Sequence, residues 1–137
     1  MNNNIYEEII HLAKKSLKYN DVPVGAVIVK NNKIISKGFN KREKNKLTIN
    51  HAEIVAITKA NKKLNSYFLY DCDLYVTLKP CEMCEKVINN ARIKNVYYLL
   101  DKPNFKKEYK KTNIIYQQSD FEKVYRKMIQ NFFNKLR

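Results

Sequence analysis

Two short segments limit what this chain can fold into more than any other feature: His51-Ala52-Glu53 and, further along, Pro80-Cys81-Glu82-Met83-Cys84. Imidazole and thiolate are donors that zinc prefers, and one His with two Cys supplies three of them. Structural zinc sites close with four protein ligands, whereas catalytic sites keep one position open for water. Three ligands beside a carboxylate that is not a ligand, here Glu53, form the pattern of a site that activates water. The second histidine, His11, and the third cysteine, Cys72, lie far from both segments and match neither.

The spacing constrains the geometry. On a helix, Cys81 and Cys84 stand at i, i+3 and share a face, so both can grip one ion. Pro80 suits the beginning of that helix, where a missing N–H costs nothing. Thiolates at a helix N-terminus are favoured by the dipole, which lowers their pKa and helps metal binding. His51 and Glu53 are two apart and point in nearly opposite directions on a helix. One ion can therefore use both only from beyond the N-terminal end of that helix. The expected centre is two helix starts facing each other across one metal. A structural zinc knuckle uses the same ligand types but has no need of Glu53.

In this order, with Pro before the first Cys, the two segments resemble the signature of zinc-dependent nucleobase deaminases. The resemblance is to the tRNA-specific adenosine deaminases of the cytidine deaminase-like superfamily. It is carried by Val22-Pro23-Val24-Gly25-Ala26-Val27-Ile28-Val29, Gly38-Phe39-Asn40 and His51-Ala52-Glu53-Ile54. It continues through Leu74 to Cys84, Ala91-Arg92-Ile93 and the C-terminal Phe132-Phe133. It implies a three-layer α/β/α cytidine deaminase-like fold with a five-stranded mixed sheet, over a single domain spanning residues 1–137. It implies Zn2+ held by His51, Cys81 and Cys84, with Glu53 as the catalytic proton carrier. It also implies a base held by the side chain of Asn40 and the backbone around Val24, Gly25 and Ala26. From the residues alone, Asn40 reads equally as a turn residue after a strand. The implied activity is conversion of adenosine to inosine in RNA, at the wobble position of a tRNA anticodon, by a homodimer whose pockets draw on both chains. Two other readings stay open: a deaminase of a free base or nucleoside (guanine or cytosine) on the same fold, and a non-catalytic RNA-binding subunit with structural zinc.

A chain of 137 residues is long enough for one real core, and 45% hydrophobic residues with ten Tyr and six Phe fit a globular protein. No run approaches the roughly 18–20 apolar residues of a membrane span. The N-terminal segment lacks a signal-peptide core. Three cysteines, two of them assigned to metal, leave no disulfide framework and favour a reducing cytoplasm. The net charge of +14 is the electrostatic footprint of a nucleic-acid binder. However, only Arg42, Arg92, Arg126 and Arg137 are arginine, and lysine with abundant asparagine also fits an AT-rich coding sequence.

Apolar residues at i, i+3/i+4 spacing predict a helix from about Ile5 to Lys18, with His11 on its surface. Val22–Val29 reads as a buried strand. Asn31-Asn32 makes a tight turn into Lys33–Phe39, giving a hairpin. Asn40–Asn50 is polar and without periodicity, which predicts a loop. A helix follows from His51 to about Lys63, then a strand at Leu74–Leu78 with Cys72 just before it. A helix from Cys81 to about Asn90 leads to a strand at Val96–Leu100, and these strand–helix–strand steps predict parallel pairing. A last strand is expected at Asn113–Gln117, then a helix begun by a Ser119/Glu122 capping box, with one apolar face from Phe121 to Leu136. That face is expected to pack on the sheet, with part of it open to a dimer contact. Relatives carry a Gly- and Ala/Ser-rich segment where this chain has the lysine-rich 101–111 loop, and a Glu where it has Lys79. With Phe105 and Tyr109 interleaved, the loop suits RNA by charge and stacking, or is simply solvated.

Overall fold

In the computed structural model, which describes residues 3–101 and 111–136, the chain opens with helix α1 (Asn3–Leu17). Ile5, Ile9 and Leu12 are buried on one side of it, as the spacing predicts, while His11 is exposed. Strands β1 (Gly25–Lys30) and β2 (Lys33–Phe39) then form an antiparallel hairpin. Its turn residues Asn31 and Asn32 have φ of 51° and 62°. This is the positive pair that a type I′ turn requires and that Asn tolerates better than most residues.

The polar stretch after the hairpin contains a short helix, α2 (Arg42–Asn45), where a loop was expected. Four residues without an apolar stripe leave no periodicity to read, and the helix buries none of its side chains. Helix α3 (Ala52–Leu64) follows and ends at Asn65, whose φ of 49° is the left-handed conformation common at helix C-termini. Strand β3 (Cys72–Leu78), helix α4 (Glu82–Asn90) and strand β4 (Asn95–Leu100) complete a strand–helix–strand unit. β3 and β4 pair in parallel, as predicted, while β3 runs antiparallel to β1. The sheet is therefore mixed, in the order β2-β1-β3-β4.

Because successive strand residues face opposite sides, the sheet carries two cores. Ala26, Ile28, Leu74 and Val76 pack with Ala52, Ala56 and Ala60 of α3 and Ile88 of α4. Val27, Val29 and Tyr75 pack on the other side with Ile5, Ile9 and Leu12 of α1. Helices thus cover both faces, and the architecture is the expected α/β/α. Each fully buried Leu or Ile stabilises this arrangement by about 1.5–3 kcal/mol before entropy is counted. The chain has only two glycines, and both set layer spacing. A Cβ on Gly25 would lie 2.1 Å from the Ile9 carbonyl oxygen of α1. One on Gly38 would lie 2.4 Å from the Ala52 carbonyl oxygen of α3.

The sheet has four strands among the described residues, not five. Residues 113–117 have the composition of a strand but form no ladder, and Ile114, Ile115 and Tyr116 are 96, 78 and 74% exposed. β propensity expresses a fit to a pleated, half-buried surface and does not make a strand without a paired neighbour. The chain divides into two compact units, Met1–Asn104 and Phe105–Arg137. In the second, helix α5 (Phe121–Lys135) forms where its periodicity predicts, and its apolar face is exposed along its length. The capping box does not form as read: Asp120 is the N-cap residue, and Ser119 Oγ accepts from the Phe121 N–H instead. The Glu122 carboxylate pairs with Arg126 at 2.6 Å. The greater part of the 101–111 loop, with Phe105 and Tyr109, lies outside the described residues. No helix among the described residues is long and apolar enough to cross a membrane.

Candidate metal centre and active site

The two motif segments are the starts of α3 and α4. His51 is the N-cap of α3 with φ −72° and ψ 151°, and Cys81 is the N-cap of α4 with φ −72° and ψ 170°. Both are extended residues placed just before the first helical turn, so their side chains project past the helix end. Cys84 follows in the first turn of α4, on the face its i, i+3 spacing from Cys81 predicts. His51 Nδ1 lies 3.5 Å from Cys84 Sγ and 3.8 Å from Cys81 Sγ. All three donor atoms lie within 4.8 Å of one another.

These separations suit zinc. Tetrahedral coordination with Zn–S of about 2.3 Å and Zn–N of about 2.0–2.1 Å sets donors roughly 3.5–3.8 Å apart. The chemistry of the set agrees. Burial pushes the Cys84 thiol up from its ordinary range, and Glu53 and Cys81 beside it push the same way. A dication among the three donors reverses that balance, because a coordinating thiol is deprotonated outright. Three donors converge, as in zinc sites that leave a position for water.

Glu53, in the first turn of α3, is only 4% exposed. Its influence on the Cys84 thiol places it next to the donor cluster. A carboxylate held this close, and shielded from bulk water, can take and return protons at the centre.

Asn40 supports the start of α3. Because His51 faces the cysteines, its side chain makes no capping hydrogen bond to the helix. Instead the Ala52 N–H donates to Asn40 Oδ1 at 2.8 Å, and Asn40 Nδ2 donates to the Val22 carbonyl at 3.0 Å. The Asn40 N–H donates to the Val24 carbonyl at 3.1 Å. One buried residue thus fastens the helix that carries His51 and Glu53 to the strand beginning at Gly25. Val24 and Ala26 are buried there, and the Gly25 N–H donates to Thr77 Oγ1 at 3.2 Å. Thr77 is a buried polar residue that the sequence reading passed over. Its one signal was a hydroxyl within the apolar run from Leu74 to Leu78. At Lys79, the backbone N–H donates to the Leu100 carbonyl and the ammonium stands 5.9 Å from the Tyr98 ring centre.

The cytidine and deoxycytidylate deaminase zinc-binding region matches residues 1–100. Over 93 residues, 66% of this chain, the sequence is 45% identical to a tRNA-specific adenosine deaminase of Rickettsia bellii. The chain spans only 64% of that protein's length. Among solved structures, a guanine deaminase from Bacillus subtilis is similar at a TM-score of 0.78 and 31% identity, over 96% of this chain and 95% of that one. A structure from work on adenosine-to-inosine editing by tRNA deaminases at the wobble position is similar at 0.73 and 34%, over 75% of each chain. Since the family match takes in both helix starts and all three donors, the chain belongs to the cytidine and deoxycytidylate deaminase family that carries this zinc-binding region.

Proposed function

We propose that the chain is a zinc-dependent hydrolytic deaminase that converts adenosine to inosine in RNA, at the wobble position of a tRNA anticodon. The observation that carries this is the meeting of His51, Cys81 and Cys84 at two helix starts with Glu53 buried beside them. The identity to a tRNA-specific adenosine deaminase supports the substrate. The whole chain works as one deaminase domain, in the cytoplasm, as a homodimer with tRNA as its macromolecular partner.

His51, Cys81 and Cys84 would hold the zinc, which would lower the pKa of a water so that hydroxide is available near neutral pH for attack on C6 of adenine. Glu53 takes the water's proton, delivers it to the ring nitrogen, and then moves a proton to the departing ammonia. Water is consumed and ammonia released, and the ring gains a carbonyl oxygen where the amine stood. Asn40 retains a second N–H on Nδ2 and a second lone pair on Oδ1 beyond its internal bonds, so it can also meet the base edge. The backbone around Val24, Gly25 and Ala26 forms the adjoining wall.

The similarity to guanine deaminase over 96% of this chain supports a second reading, deamination of free guanine at the same centre. One panel separates the two. Purified protein is given an anticodon stem-loop with A at the wobble position, the same sequence in a duplex, free adenosine, guanine and cytosine. Inosine forming fastest in the stem-loop is the expected result, because loop bases are already unstacked and easily turned into a pocket. Faster turnover of guanine moves the protein to the second reading.

A further inference from the structure

Four lysines from four segments gather at Lys41. Lys15 comes from α1, Lys41 from the end of the hairpin, Lys44 from α2 and Lys59 from α3. Two aromatic rings lie beneath Lys15, Lys41 and Lys44: Tyr19 and Phe39 stack with centroids 6.5 Å apart and planes 11° from parallel. The Lys41 ammonium stands 4.8 Å and that of Lys15 5.9 Å from the Phe39 ring centre, and that of Lys44 stands 4.9 Å from Tyr19. Neither acid of this segment pairs with the four lysines. Glu43 pairs with Lys46 at 3.0 Å, and Asp21 Oδ2 accepts from the Glu43 N–H. Among the described residues, none of the four lysines forms an ion pair. Burial first, then Lys59, Lys44 and Lys15, holds the Lys41 ammonium below the usual lysine range, as expected for cations crowded together without a counter-charge.

The cluster adjoins the centre through the backbone. The Lys41 N–H donates to the Asn50 carbonyl at 2.9 Å, immediately before His51, and Asn40 is its chain neighbour. We infer that Lys15, Lys41 and Lys44, seated on Tyr19 and Phe39, form a phosphodiester-binding patch that anchors the RNA strand flanking the base at the metal centre. This rests on the RNA reading above. An RNA backbone offers repeated anionic charge to a row of ammonium groups, whereas a free purine offers none. The rings restrict where the ammonium groups sit, so the patch favours one path for the strand.

The test is equilibrium binding of a fluorescent anticodon stem-loop across a salt series, with KM and kcat measured alongside. Each single-strand phosphate contact contributes about 0.7 to the slope of log affinity against log salt. The triple variant Lys15→Gln/Lys41→Gln/Lys44→Gln should lower that slope by about 2 and weaken binding at least about tenfold at moderate salt. Its KM should rise more than its kcat falls. The corresponding triple Lys→Arg variant should recover most of the slope. Lys62→Gln/Lys63→Gln, at the far end of α3, should leave it close to wild type. Lys44→Glu, a single change at an exposed side chain, provides the same reading if the triple variant folds poorly. A triple Gln variant with wild-type slope and affinity would overturn the patch while leaving the RNA reading intact. So would an equal loss in the Lys62/Lys63 pair. Wild-type protein that deaminates guanine but neither binds nor deaminates the stem-loop would overturn both.

Discussion

The starts of α3 and α4 are built alike and do different work. Each has an extended N-cap residue that carries a candidate metal donor, and each has acid in its first turn: Glu53 in α3, Glu82 and Glu85 in α4. Glu53 is the second helical residue and is buried beside the donors, whereas Glu82 is the first and is exposed. A single residue of offset turns a helix side chain by about 100°, which separates an acid that meets the centre from one that only complements the helix dipole. Both starts supply candidate metal donors, but Glu53 of α3 lies buried beside them while Glu82 of α4 faces solvent. Support differs as well. α3 borrows its cap from Asn40, whereas α4 follows the buried Pro80.

Breaking the candidate donor set should have the largest effect. Cys84→Ser, and likewise Cys81→Ser, should abolish both metal uptake and turnover, because thiolates supply most of the ligand strength. Metal analysis showing about one zinc per chain in wild type and the same in Cys84→Ser would remove that residue from the ligand set. Glu53 should separate from it. Glu53→Gln should retain zinc and fold while turnover falls about 10²–10⁴-fold. Near-normal turnover would assign the acid/base role elsewhere.

Asn40 tests whether the borrowed cap matters. Asn40→Ala removes the acceptor for the Ala52 N–H and should cost about 1–2 kcal/mol of stability, read as a lower denaturation midpoint with metal still bound. Asn40→Asp keeps that acceptor and should recover most of the midpoint while losing the donor to Val22. Equal losses in the two variants would mean that the Val22 bond, not the cap, is the important one. The smallest effect is expected at Glu82. Glu82→Gln should change turnover by less than about twofold, since an exposed first-turn acid contributes only a dipole interaction. A loss approaching that of Glu53→Gln would erase the distinction between the two helix starts.

How far this was readable in advance depended on what kind of signal each residue carries. The convergence of His51, Cys81 and Cys84 was legible because zinc chemistry admits few residue types and helix geometry few spacings. The hairpin turn was legible because consecutive Asn tolerates positive φ. The strand expected at 113–117 failed because a strand exists only with a partner, and Ile114-Ile115-Tyr116 specifies a preference without naming one. α2 was missed because Arg42–Asn45 is too short to show a period. The cap role of Asn40 was hidden for a different reason. It depends on His51 turning away from its own helix, which becomes visible only when the two motif segments meet. The lysine patch draws on residues as distant as Lys15 and Lys44, and no local window contains it.

Cys72 is not a zinc-motif residue, yet its burial gives it a use. It has no exposed surface, and burial first of all raises its thiol above the ordinary range. Cys84 is equally enclosed, and Cys81 is only partly so. A thiol-reactive dye added to the folded protein therefore meets the three cysteines in two phases. Metal-bound thiolates resist it; stripping the metal exposes Cys81 to prompt labelling, while Cys72 reacts only when the sheet opens. The slow phase is an internal stopwatch for unfolding and the fast phase a gauge of metal release. The three native cysteines can thus distinguish a variant that has lost its ion from one that has lost its fold.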